Sequence, residues 1–253
     1  MRPLHAALTA FAAAVAASAA AEPPLEPAPP LPEQSVHRGV AVVQCATDAT
    51  QGTRAHGALL DFGSARPKQE VVLTVAHSLP PTPDAVLRDC VVIGDRGRPY
   101  PVTHVWLGDR SRASDWAVLA TERRIRGNDV VRLRFDADAA AATLQRLTAE
   151  RTEVTLLHGA GDARCEMRTT KWLTRPELTA AVYAHSCPSW PGLSGSPMVL
   201  DVDGAPLLIG VHMGELAMES ESGEPEPLQS LGRGIDASLG AALAEAAGVL
   251  ERR

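Results

Sequence analysis

The sequence predicts an all-β protein of two similar halves, closed by a terminal helix. Three observations predict it. Short apolar runs of strand length alternate with turn residues from Val36 to Met213. An alanine-rich break, DADAAAATLQRLTAE, divides them near the middle. The last stretch, DASLGAALAEAAGVLERR, spaces leucine and alanine at helical intervals behind Asp236, a capping residue. These signals imply a sandwich or barrel architecture and leave the choice between them open.

In chain order, residues 1–21 carry Arg2, an apolar run from Ala6, and Ala19-Ala20-Ala21 before a polar stretch. That is the pattern of a secretory signal peptide cleaved after Ala21; the run is too short and too alanine-rich for a spanning anchor. Residues 22–35, EPPLEPAPPLPEQS, hold six prolines and read as an extended tether. Residues 36–135 supply the strand candidates GVAVVQC, HGALLDF, EVVLTVAH, DCVVIGD, PVTHVWL, DWAVLAT and VRLRF. Residues 136–253 hold the break, then TEVTLLHG, CEMRTTKWL, AAVYAHSC, SPMVLD and PLLIGVHM, then the terminal helix.

The net charge of −6 over 253 residues becomes −7 once Arg2 leaves with the signal. That balance argues against nucleic acid or an anionic membrane surface as a partner. Export, to the periplasm or the medium, makes the four cysteines candidates for disulfides. Cys45–Cys90 and Cys165–Cys187 are the expected pairs, each within one half of the chain. No C-x-x-C spacing occurs, and no histidine, cysteine and aspartate spacing suggests zinc, so no metal or other cofactor is expected.

Three stretches carry the chemistry. VVLTVAHSL places His77 at the end of a β-branched strand, SDWAVLAT places Asp115 at the start of another, and PGLSGSPMV places Ser194 in a glycine-flanked turn. Each has a plain explanation alone: a bystander histidine, a strand-initiating aspartate, a tight turn. Together, each beside its own apolar strand, they form a rarer combination.

At these residues the chain resembles the trypsin/chymotrypsin-like serine peptidases. Thr74-Val75-Ala76-His77 is similar to the family's Thr-Ala-Ala-His, and Asp115-Trp116-Ala117-Val118 to Asp-Ile-Ala-Leu. Gly192-Leu193-Ser194-Gly195-Ser196-Pro197 is similar to Gly-Asp-Ser-Gly-Gly-Pro. The order His, Asp, Ser is also that of the family. The resemblance implies two six-stranded antiparallel β-barrels with an active site between them, over residues 36–135 and 136–253. It implies His77 as general base, Asp115 as its orienting partner and Ser194 as nucleophile. The N–H groups of Gly192 and Ser194 would form the oxyanion hole. The expected partner is a polypeptide substrate, and the protein is expected to act as a monomer.

Two departures sharpen the reading. Leu193 stands where zymogen-type members keep an aspartate that pairs with a new N-terminus, so no such activation switch is expected. SGSP in place of SGGP resembles the bacterial branch that includes V8-type glutamyl endopeptidases. In that branch Ser189 matches a pocket threonine and His212 matches a histidine that reads an acidic side chain, which implies preference for Glu or Asp at P1. His212 also reads as a core histidine on an apolar strand. Glu215, with Glu219, Glu221, Glu224 and Glu226 beyond it, would set an acidic rim that opposes such a substrate. Trp190 lines the substrate pocket or packs between the barrels.

No function is assigned to His104 in an edge-like strand, His158 in a loop, or His185. Asp201 and Asp203 flank a hairpin turn. The rival reading is a non-catalytic binding protein on the same scaffold. A quality-control protease would need a further peptide-binding module, for which the stretch after His212 is too short.

Overall fold

The computed structural model describes residues 39–46, 52–63, 68–94, 97–126, 130–136, 138, 140, 142, 152–158, 161–168, 181–202, 205–216 and 229–251. The signal, the tether, Asp203 and Glu219, Glu221, Glu224 and Glu226 lie outside the described residues, as does most of the alanine-rich break. The strands are β1 (Val40–Ala46), β2 (Gly52–Asp61), β3 (Val71–Thr74), β4 (Cys90–Ile93), β5 (Pro99–Leu107), β6 (Ala117–Thr121) and β7 (Leu133–Arg134). They continue as β8 (Glu153–His158), β9 (Gly161–Arg168), β10 (Val182–His185), β11 (Pro197–Val202), β12 (Ala205–Leu216) and β13 (Gln229–Gly234). Two α-helices accompany them, α1 (Pro83–Asp89) and α2 (Ala237–Glu251).

Strands β1, β4, β5, β6, β3 and β2 pair antiparallel in that order, and β1 pairs again with β2 to close a six-stranded barrel. Strands β12, β11, β8, β9, β10 and β13 close a second barrel through the β12–β13 pairing. The short β7 joins the two, parallel to β2 through Leu60 and Leu133 and parallel to β12 through Leu207 and Arg134. Phe62 and Phe135 meet edge to face beside it, ring centroids 5.7 Å apart.

The continuous apolar runs follow from burial on two faces. In β6, Ala117 and Leu119 point into the first barrel, while Val118 and Ala120 point into a second core between the barrels. In β3, Val72 faces inward and Val71 and Leu73 face that shared core. A strand buried on both sides loses the alternation of polar and apolar residues. Val154, Leu156, Met167, Tyr183, Met198 and Ile209 fill the second barrel.

Helix α2 buries Leu239, Leu243, Ala246 and Leu250, a spacing that puts them on one face toward the shared core. Asp236 caps it as expected: its Oδ1 accepts from the Leu239 N–H at 3.0 Å, and its Oδ2 accepts from the buried Arg233 at 2.6 Å. Elsewhere the carboxylate of Glu70 takes Arg132 in two bonds of 2.6 and 2.7 Å and the Ile125 N–H at 3.1 Å. This buried pair ties the entry of β3 to the entry of β7.

Both disulfides form as expected. Cys45 and Cys90 sit opposite each other in the β1–β4 register with Cα atoms 4.0 Å apart, and Cys165 joins Cys187 with 4.9 Å between Cα atoms. The structure corrects several expectations. β3 stops at Thr74, because Val75 to His77 leave the sheet to enter a turn. At His104 the edge-like reading holds locally: β5 pairs with β4 over Pro99 to Pro101 and with β6 from Val102 to Leu107, His104 lying opposite Ala120. β13 and α1 were not expected. The Thr82 hydroxyl accepts from the Ala85 N–H at 3.3 Å and Pro83 opens the helix, which together start α1.

Candidate active site

His77 lies in the turn that follows β3, and Asp115 follows a single 3-10 turn, Arg112–Ser114, just before β6. Since β3 and β6 are neighbours, the two residues leave adjacent strand ends on the same side of the first barrel. The Asp115 Oδ1 accepts the His77 backbone N–H at 2.9 Å, and its Oδ2 lies 2.6 Å from His77 Nδ1. A carboxylate facing the ring can only accept, so the proton sits on Nδ1 and Nε2 keeps its lone pair. That Nε2 lies 3.1 Å from Ser194 Oγ. Asp115 is buried while His77 is exposed, so the pair opens at the imidazole end.

Ser194 stands in the turn that enters β11. The turn is held from inside by Leu193, which is 1% exposed and packs in the core of the second barrel. The backbone at Gly192 has φ +97° and at Gly195 φ +84°, a region that favours glycine. Gly195 donates to the His212 carbonyl at 2.8 Å, and Ser196 donates to the Leu193 carbonyl at 2.9 Å. Among the described residues, the N–H groups of Gly192 and Ser194 have no acceptor.

Beside this turn runs a chain of buried side chains. The Cys187 N–H donates to His185 Nδ1 at 3.2 Å, His185 Nε2 lies 3.1 Å from His212 Nδ1, and His212 Nε2 lies 2.9 Å from Ser189 Oγ. Burial, then the neighbouring ring, pushes His185 down to about 3; burial, then His77 and His56, pushes His212 down to about 4. Both rings are therefore neutral near pH 7, with one proton each. The Cys187 N–H occupies Nδ1 of His185, so its proton is on Nε2 and points at His212. The His212 proton must then be on Nε2 and point at Ser189. Ser189 accepts from the chain, and its own O–H remains free to donate outward.

Of the other expected residues, His212 is fully buried and is at once a core histidine and a partner of Ser189. Trp190 is 42% exposed and meets His158 edge-on at 5.2 Å; it does not pack between the barrels. Glu215 is exposed on β12 opposite Ser230. His158 is the last residue of β8, not part of a loop. Sequence reasoning missed His185, Ser196, Thr74 and His56, all of which touch the site. Only their closeness in the fold marks them, since neither barrel pairing nor the approach of β2 to the serine turn can be read from spacing.

Cys165, His185 and Cys187 offer ligand atoms within 4.8 Å of one another. Their chemistry does not fit a metal, because the two sulfurs are bonded to each other and both ring nitrogens of His185 are engaged.

No family model and no curated protein matches the chain. Among solved structures it is similar to HL collagenase, with a TM-score of 0.58 and 14% identity over 85% of this chain and 95% of that one. At that identity the likeness concerns the fold, which is chymotrypsin-like.

Proposed function

We propose that the chain is an exported serine endopeptidase that cleaves polypeptides through an acyl-enzyme on Ser194. The observation that supports this most is the line of atoms from Asp115 Oδ2 through the His77 ring to Ser194 Oγ, with spacings of 2.6 and 3.1 Å. Serine is a poor nucleophile without an adjacent base. In the proposed reaction Ser194 Oγ bonds to the substrate carbonyl carbon as its proton passes to His77 Nε2. The negative charge on the carbonyl oxygen is received by the N–H groups of Gly192 and Ser194. The C–N bond then breaks as His77 returns the proton to the leaving amine. Water, deprotonated by the same ring, hydrolyses the ester. No cofactor enters.

The proposal extends to specificity. Ser189 presents a hydroxyl proton beside Ser194 with two buried imidazoles behind it, which suits an acceptor side chain such as Glu or Asp at P1. An incoming carboxylate would accept the Ser189 hydroxyl proton, while the His212 N–H holds the Ser189 oxygen in place. The exposed Glu215 opposes this charge, so the preference is carried by the buried chain and not by the surface field.

The proposal also takes residues 1–21 as a signal, 22–35 as a tether, and a monomer as the working form. The two disulfides accord with an oxidising compartment. Among the described residues no helix is long and apolar enough to cross a membrane.

The test is labelling with a fluorophosphonate probe, with peptide mapping of the adduct. Ser194 should carry the label, and Ser194→Ala should lose both label and turnover. A fully active alanine variant overturns the assignment. For specificity, peptides with Glu, Gln and Leu at P1 should rank in that order; equal rates for Glu and Leu end the acidic reading.

A further inference from the structure

We infer that the imidazole of His56 is a positioning group for Ser194, acting through Ser196. The inference rests on the reading of Ser194 as nucleophile.

His56 lies on β2 of the first barrel and is 1% exposed. Its main chain reaches in two directions. Its N–H donates to the Ser194 carbonyl at 2.8 Å, and its carbonyl accepts the Thr74 hydroxyl at 2.6 Å. Thr74 is the last residue of β3, three before His77. One residue of β2 therefore holds the strand that carries the base and the turn that carries the nucleophile. The side chain adds a third tie: Nδ1 lies 2.9 Å from Ser196 Oγ, and Ser196 is fully buried two residues after Ser194. Ser196 is itself built into the turn, donating to the Leu193 carbonyl at 2.9 Å and accepting the His212 N–H at 2.8 Å. Any shift of Ser196 is passed to the backbone on both sides of Ser194.

Packing alone does not account for a histidine here. Nε2 is buried and has no hydrogen-bond partner among the described residues. Such an orphan costs about 1–3 kcal/mol, which a leucine would avoid. The bond to Ser196 is what the imidazole supplies and a leucine cannot. Burial and then the nearby His158 push the His56 pKa down to about 4, so the bond is between neutral groups near pH 7.

The test uses the full chain with His56→Leu, His56→Asn, Ser196→Ala and the double variant His56→Leu/Ser196→Ala. The readouts are the rate of Ser194 labelling by a fluorophosphonate and kcat and KM on the peptide p-nitroanilide that the wild type cleaves fastest. Thermal unfolding is followed alongside. His56→Leu and Ser196→Ala should each slow labelling and kcat about 10- to 100-fold with KM little changed, the effect of a nucleophile displaced by a fraction of an ångström to an ångström. The double variant should be no slower than the slower single variant, because both remove the same bond. His56→Asn, whose amide replaces the polar atom at the Nδ1 place, should recover most of the rate, which a purely structural role would not predict. Wild-type labelling rates in His56→Leu and Ser196→Ala overturn the inference, and so does a double variant with multiplied losses. If His56→Leu does not fold, Ser196→Ala, which removes one oxygen atom, decides by itself. A wild type that takes no label at Ser194 defeats the peptidase reading, and with it this inference; a labelled wild type with unaffected variants defeats this inference only.

Discussion

The carbonyl oxygen of His56 lies 2.0 Å from the place a Cβ on Gly195 would occupy. The first barrel and the Ser194 turn of the second approach so closely there that no side chain fits, and the backbone at Gly195 has φ +84° as well. Gly192 differs: its φ is +97°, but nothing lies within 4 Å of a Cβ built on it. Gly195→Ala should therefore force the barrels apart and abolish Ser194 labelling. Gly192→Ala should fold, and lose about 10²- to 10³-fold in kcat by turning away one of the two oxyanion donors proposed above. Labelling and circular dichroism on both variants check the contrast.

Asp115 holds His77 by two contacts, one to the ring and one to the backbone. Asp115→Asn keeps the size of the side chain but offers an N–H to the ring, which favours the tautomer with the proton facing Ser194. A drop of about 10⁴-fold in kcat is expected, with KM nearly unchanged. Steady-state kinetics on the purified variant decide it.

Ser189→Ala removes the outward donor and leaves the His212 N–H without its acceptor. Discrimination for Glu over Leu at P1 should fall about tenfold or more, the worth of one buried hydrogen bond to a charged group. Turnover of a Leu substrate should change little. If the variant keeps the full Glu preference, the Ser189–His212–His185 chain does not read the substrate.

Burial keeps His56, His185 and His212 neutral, with values of about 4, 3 and 4 against an ordinary 6.5. On unfolding, each regains its ordinary affinity for a proton. Between pH 6.5 and 4 the unfolded chain thus binds more protons than the folded one, so stability rises with pH and is lost as pH falls through this window. Each histidine adds a slope of up to about 1.4 kcal/mol per pH unit. Guanidinium unfolding at pH 7.5, 6.0 and 5.0 should show the midpoint holding above 6.5 and dropping below it; a constant midpoint contradicts neutral burial.

Glu70 is 1% exposed, and its carboxylate accepts from the Arg132 guanidinium and the Ile125 N–H. Glu70→Ala leaves the guanidinium without its main partner in a mostly buried place. A loss of about 3–5 kcal/mol in unfolding free energy is expected from denaturant titration.

Much of the fold was legible because its strands are buried on two faces and read as unbroken apolar runs, as in AVLAT of β6. β13 was not, because QSLGRG holds two glycines and a charged residue, and Arg233 is buried only by virtue of Asp236 and the Gly234 carbonyl. α1 is seven residues long and shows one buried side chain, Val86, too little for a helical period. In the site, His77, Asp115 and Ser194 were visible through their local motifs. His56 and His185 were not, since each stands in an ordinary strand and its ring meets Ser196 or His212, residues distant in the chain.

Strand β7 contributes two residues, yet its parallel pairings weld both barrels into one continuous hydrogen-bonded surface. Among the described residues, these pairings and the apolar core shared by both barrels bind the two halves side by side. The two barrels are then expected to move as one body, so that the 3.1 Å spacing of His77 Nε2 and Ser194 Oγ is set at folding. On the peptidase reading proposed above, turnover should be insensitive to solvent viscosity beyond simple diffusion.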